Sequence, residues 1–242
     1  MKQYIIVISV ALCLVSCSHR SKHWETLAQV ESYIEERPDS ALNVLQGMDK
    51  GELSGKEEKA KHALLLSMAM DKNYIDRTDF DVLQPAIDFY EDHGSATDKL
   101  RTYYYQGRIY QNAGNDAAAM ESFVNSLDMG SESNDNLTKA RILVAQSNIY
   151  YSLMKWEKVC DVNIEAANYY NELGRTNNYV YCLLRCIGGY IQSNNFDKAK
   201  DLLGKCYQYT ENLPELLISE IYSYHLLYSV AANNFESVPL II

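Results

Sequence analysis

The chain has 242 residues, of which 47% are hydrophobic and 22% charged, so it carries ample apolar material for a folded core. Its formal net charge of −10 and sequence pI near 5.0 argue against a nucleic-acid surface, which needs a basic stripe. Twenty tyrosines, most beyond position 100, and only four prolines (38, 85, 214 and 239) suit an all-α protein whose long helices are packed by aromatic rings.

At the N-terminus, Met1-Lys2-Gln3-Tyr4 is short and basic, and an apolar stretch follows over 5–15. That stretch is too short for a spanning helix, which needs about twenty residues. It ends in Leu14-Val15-Ser16-Cys17, which resembles a bacterial lipobox. The resemblance implies a signal peptide over 1–16 and cleavage before an acylated Cys17, the first part of a polar tether over 17–22. Two or three acyl chains would make attachment to the lipid bilayer effectively permanent, since each buried CH₂ contributes about 0.8 kcal/mol. No Asp follows Cys17 and no acidic run marks surface export. The implied location is therefore the outer membrane, facing the periplasm.

Helical spacing of Trp24, Leu27, Val30 and Ile34 predicts a first helix from about His23 to Arg37. Pro38-Asp39-Ser40 opens the next, with Asp39 or Ser40 as cap. Asp39-Ser40-Ala41 also looks like a short O-glycosylation site of some Gram-negative anaerobes. After a polar break from Gly47 to Gly55, a third helix is expected from about Lys56 to Asp71. A fourth, opened by Thr78-Asp79-Phe80-Asp81, should carry Leu83, Ala86, Ile87 and Tyr90.

From here the chain repeats. Second helices of successive pairs are expected just after Asp116, Trp156, Phe196 and Phe235, at intervals of 156−116=40, 196−156=40 and 235−196=39. A fixed period marks a solenoid, in which each unit covers the apolar flank of the next. The clearest unit has Tyr103, Gly107 and Tyr110 before a turn at Gly114, then Ala119 and Phe123. It resembles a tetratricopeptide repeat (TPR), lengthened from the usual length of about 34 residues. The second unit keeps Leu143, Ser147, Tyr150, Trp156 and Ala166 but has Val159 and Asn163 out of pattern. The third keeps Leu183, Tyr190, Phe196 and Ala199 but departs at Ile187 and Leu203. The expectation is an all-α, right-handed superhelical solenoid of TPR-like antiparallel hairpins over 23–242, its last repeat incomplete. A TPR lipoprotein of Gram-negative bacteria is the implied type. The apolar tail after Phe235 leaves no polar capping helix, so either the chain is shortened or its uncapped end packs on a partner or self-associates with a second copy.

Cys160, Cys182, Cys186 and Cys206 read as buried thiols, with a Cys186–Cys206 disulfide as the alternative. The five histidines are scattered, and no metal cluster, phosphate loop or catalytic motif stands out. The expected role is therefore non-enzymatic, with neither cofactor nor metal. In TPR arrays the first helix of each pair lines the concave face. Carrying those positions across predicts a partner groove of Arg101, Tyr104, Arg108 and Gln111, then Arg141, Asn148 and Tyr151, then Tyr181 and Ile191. Its arginines could hold a carboxylate or an extended peptide. Val144 stands where chaperone-binding TPRs have their clamp lysine. The function expected is thus an envelope scaffold for an unidentified protein or peptide. The alternatives are the sensor part of a membrane-associated regulator and a glycan-binding uptake lipoprotein.

Overall fold

A computed structural model describes residues 21–233, and these form helices joined by short turns. In order they are α1 (Lys22–Tyr33), α2 (Pro38–Gln46), α3 (Gly55–Lys72), α4 (Gln84–His93), α5 (Ala96–Asn112) and α6 (Asp116–Met129). Then come α7 (Asn136–Ser152), α8 (Trp156–Glu172), α9 (Thr176–Gln192), α10 (Phe196–Tyr207), a 3-10 turn at Thr210–Asn212 and α11 (Glu215–Ala231). Each odd-numbered helix up to α9 packs on the even one after it, and the odd helices also pack along the array, α1 on α3, α3 on α5, α5 on α7 and α9 on α11. The result is an all-α solenoid of TPR-like antiparallel hairpins, one core cluster running from Leu27 to Ile149 and a second from Ala140 to Tyr228. Both clusters draw on α7.

The period is written in the turns. Tyr74, Gly114, Met154, Asn194 and Asn233 all have positive φ, between 50° and 75°, at intervals of 40, 40, 40 and 39 residues. At Gly114 the Asn115 amide donates to the Tyr110 carbonyl (2.9 Å) and the Gly114 amide to the Gln111 carbonyl (3.0 Å), the two bonds of a Schellman helix end. Lys155 donates to Tyr150 and Asn195 to Tyr190 in the same way, at 2.9 and 2.8 Å. Tyr110, Tyr150 and Tyr190 therefore hold equivalent places in consecutive hairpins, and Met70 holds that place one unit earlier through Ile75 (3.0 Å).

Within each hairpin the close contact is met by different chemistry. A Cβ on Gly107 would lie 2.5 Å from Phe123 Cε1, so only glycine admits that ring between α5 and α6. Forty residues on, the same places hold Ser147 and Asn163, where the Asn163 amide donates to the Ser147 hydroxyl and, at 2.7 Å, to the Val159 carbonyl. A further forty on they hold Ile187 and Leu203, both buried in the second core cluster. A second exchange couples Leu100 and Gly130, where a Cβ would come within 2.5 Å of Leu100, to Ala140 and Tyr170 one repeat later. Volume removed from one helix is returned by its neighbour, which keeps the interior close-packed.

Several details differ from the sequence expectation. The fourth helix begins at Gln84, with Leu83 as N-cap and Pro85 in its first turn. Asp79 instead accepts from Arg77 and from the Asp81 amide, forming a turn before the helix. Neither Asp39 nor Ser40 caps α2; Pro38 supplies the preset φ of a helix start and Arg37 is the cap position. Ser21, expected within the tether, is the N-cap of α1 and accepts from the Trp24 amide at 3.1 Å. The Ser21 hydroxyl also donates to the buried Glu58, whose carboxylate accepts from the Ser54 amide and hydroxyl as well. Burial opposes that charge, but the three donors outweigh it and hold the Glu58 carboxyl below its ordinary range. Cys160, Cys182, Cys186 and Cys206 are all free and buried. The expected alternative, a Cys186–Cys206 disulfide, is not formed; Cys186 meets Cys160 across α8 and α9, its sulfur 3.6 Å from the Cys160 carbonyl. Burial pushes the Cys182 and Cys206 thiols up to about 12, so they pack as small apolar groups. Cys17 and Phe235 lie outside the described residues.

Candidate functional site

The odd helices present their inner face as one surface with two different halves. In the first half, charge is matched internally. Glu31 on α1 meets Lys61 on α3 and Arg101 on α5, each at 2.7 Å. Glu35, just past α1, meets Lys72 on α3 at 2.7 Å and Arg141 on α7 through two bonds of 2.9 and 2.7 Å. Arg101 also donates to Asp135 (2.6 Å), and Arg108 to Asp71 (3.0 Å) and to the Gln111 amide oxygen (2.6 Å). Gln111 in turn donates to the Ala145 carbonyl at 3.3 Å. One lattice of ion pairs thus joins α1, α3, α5 and α7, across a sequence separation of 106 residues for Glu35 and Arg141.

The electrostatics follow from the geometry. Burial disfavours the Glu35 charge, yet Arg141 and Lys72 hold its carboxyl down to about 2. Asp135 is lowered too, against its burial, by Arg101 and by the Thr138 amide. Lys72 pays for the arrangement, since burial and the Arg141 charge beside it both lower its ammonium pKa.

The second half of the inner face is open. Asn148 and Tyr151 on α7 and Tyr181 on α9 are exposed, the two rings at 44% and 42%. Arg185 on α9 lies over the Tyr151 ring, 4.5 Å from its centroid, and donates to Asn148 Oδ1 at 3.1 Å. The Trp156 ring meets Tyr151 edge-on at 5.2 Å. Between α7, α9 and α11 is a recess of about 170 Å³ lined by Tyr151, Gly188, Gln192, Ser223, Tyr224 and Leu227.

Of the groove residues expected from sequence, Arg101, Arg108, Gln111 and Arg141 are brought together, but already paired with acids or amides of the chain. Tyr104 and Ile191 do not line a groove: both are buried, at 6% and 5%. Tyr104 packs against Tyr105 and Phe123, and α11 packs over α9, so Ile191 joins the second core cluster. Asn148, Tyr151 and Tyr181 are the expected residues that do face outward. Sequence reasoning missed Glu31, Glu35, Arg185, Tyr224 and Leu227. Arg185 carried a signal: it follows Tyr105 and Ala145 at intervals of 40, both of them buried, so an arginine there marks a change of environment.

Among the described residues no group of three or more His, Cys, Asp and Glu is placed to hold a metal ion. No helix among them is long and apolar enough to cross a membrane.

Solved structures with the same architecture exist at low sequence identity. BtubC (BKLC) from P. vanneervenii superposes with a TM-score of 0.61 at 15% identity, covering 90% of this chain and 87% of that one. A signal transduction ATPase with numerous domains, carrying a tetratricopeptide repeat sensor, from Pyrococcus horikoshii superposes with a TM-score of 0.65 at 14% identity. That match covers 89% of this chain but only 34% of the longer Pyrococcus chain. No protein-family model matches the chain, and no curated protein matches it in sequence. These neighbours share the fold, an all-α solenoid of TPR-like helical hairpins.

Proposed function

We propose that the chain is a non-enzymatic scaffold that binds a protein or peptide partner on its inner face, tethered to the cell envelope by an acylated Cys17. The observation that carries this is the contrast within that face. Arg101, Arg108 and Arg141 serve the chain's own carboxylates, while Asn148, Tyr151 and Tyr181 are exposed on two neighbouring helices. Exposed aromatic rings beside polar groups on a rigid concave wall are the usual material of a peptide-binding surface. Within this reading Arg101, Arg108, Gln111 and Arg141 set the curvature of the wall, and the partner meets its open half.

A photo-crosslinking residue at Tyr181 tests the reading, with the same residue at exposed Glu165 on the outer helix α8 as control. Crosslinks to a discrete partner from Tyr181 and none from Glu165 are expected; equal labelling from both would refute it. Anchoring is a separate question. Incorporation of an alkyne fatty acid that is abolished by Cys17→Ala, with the product in outer-membrane fractions, is the expected result, and labelling that survives the substitution rules it out.

A second reading has one point in its favour. The Pyrococcus neighbour uses a TPR array as the sensor of a larger signalling ATPase. On that reading this chain senses the same class of partner and passes the event to a regulatory region.

A further inference from the structure

On the open half of the inner face, Arg185 has no carboxylate partner among the described residues. Arg101, Arg108 and Arg141 each have at least one carboxylate within 3.0 Å. Arg185 has none within 4.0 Å among the described residues; it rests on the Tyr151 ring and spends one N–H on Asn148. A guanidinium has five N–H donors in a planar fork, so a bidentate edge stays available in a chain of net charge −10.

Beside it is the 170 Å³ recess, walled by the Tyr151 and Tyr224 rings and by Leu227, which is 44% exposed. Gly188 keeps it open: a Cβ there would stand 3.1 Å from Tyr224 Cε1. An enclosed cavity of about 150 Å³ accepts benzene, so this recess has the volume of a single large apolar side chain. Gln192 and Ser223 at its edge supply an amide and a hydroxyl, both exposed, which suit the backbone of an extended segment.

We propose that the recess takes one large apolar side chain of an extended partner segment, and that Arg185 takes the carboxylate of an Asp or Glu within two residues of it. This rests on the scaffold reading above and adds the chemistry of the ligand. The three requirements (one apolar side chain, an adjacent acid, an extended backbone) come from three separate features: the volume, the unpaired guanidinium and the polar edge.

The test uses the chain from residue 18 onward, which leaves out the acylation candidate Cys17, and a displayed library of random twelve-residue peptides. Enriched peptides are then measured by fluorescence anisotropy. They are expected to share an aromatic or large aliphatic residue next to an acid. Arg185→Gln should weaken binding by roughly tenfold or more, the usual range for a hydrogen bond to a charged group. Arg185→Lys should restore part of it, and Gly188→Val, which fills the recess, should abolish it. Unchanged circular dichroism and melting keep each variant interpretable. Enriched peptides that lack an acid, affinity indifferent to Arg185→Gln, or no enrichment at all each overturn the proposal. So does an Arg185- and Tyr224-dependent dimer seen by sedimentation, because the recess would then serve a second copy. If Tyr181 still crosslinks to a partner while peptides ignore Arg185, the recess assignment fails and the scaffold reading stands.

Discussion

At the scale of single residues, the repeat places the same demand on unlike side chains. Gly114 meets the left-handed turn without a Cβ, but Met154, in the equivalent place, has φ 55° and is 72% exposed. A non-glycine residue there costs about 1–2 kcal/mol, offset in part by the extra chain entropy glycine loses on folding. Met154→Gly is therefore expected to stabilise the protein by about 0.5–1 kcal/mol in urea unfolding, with the slope unchanged. The Ser147–Asn163 pair carries the opposite expectation. Asn163 is fully buried, its Oδ1 already lacks a partner, and one of its amide bonds goes to Ser147. Ser147→Ala should cost about 1–3 kcal/mol by removing that acceptor. Ser147→Ala combined with Asn163→Leu should recover most of the loss, because both polar groups then leave the core together.

At the scale of helices, the spacing of the α5–α6 hairpin is set by a residue that has no side chain to spare. Gly107 admits the Phe123 ring between α5 and α6. Gly107→Ala would gain helix propensity of about 1 kcal/mol but force the ring from its place, an overpacking cost of about 1–3 kcal/mol. Net destabilisation is expected by thermal melting, and Phe123→Leu in the same chain should relieve it. If Gly107→Ala alone melts higher than the parent, the close approach is not what the glycine serves.

At the scale of the whole molecule, α1 draws the first half of the array together. Glu31 and Glu35 reach α3, α5 and α7, so the first helix fastens three other inner helices to itself in one wall. Glu35→Gln leaves Arg141 and Lys72 partly buried without their shared counter-charge. The expected loss is about 2 kcal/mol, less than the cost of breaking a fully buried pair because water reaches this one. Acid should do the same. The Glu35 carboxyl is held at about 2 against an ordinary 4.5, so its contribution is complete above about 4.5 and disappears as pH falls from there toward 2. Glu58 and Asp135 are lowered in the same sense, so Glu35→Gln should reduce the acid-induced loss without removing it. Buried His62 and His225, both lowered by burial, add a loss that begins as pH drops below 6.5. A stability–pH profile of parent and variant checks all of this. A parent curve flat from pH 5 to 2 would contradict the lattice.

The same lattice changes the meaning of a charge-reversal experiment. Reversing Arg101, Arg108 and Arg141 would place acids against Glu31, Asp71, Asp135 and Glu35. The outcome would report on the wall's integrity before it reported on any partner.

What was legible in the chain, and what was not, divides by the range of the interaction. Helix type, the forty-residue period, the turn at Gly114 and the repeat positions of Gly107 and Phe123 are local or one repeat apart, so the order of residues alone determined them. The fate of the groove residues was not local. Whether Arg141 faces water or Glu35 depends on superhelical curvature, which accumulates over 106 positions and has no signature in either residue's neighbours. Likewise Ile191 entered the core that α9 shares with α11, and Arg185 stayed without a carboxylate because no acid of the described chain curves back to reach it. Period and hairpin belong to sequence; the closing of one half of the inner face, and the opening of the other, were decided by how the hairpins stack, since stacking alone sets which distant charges meet.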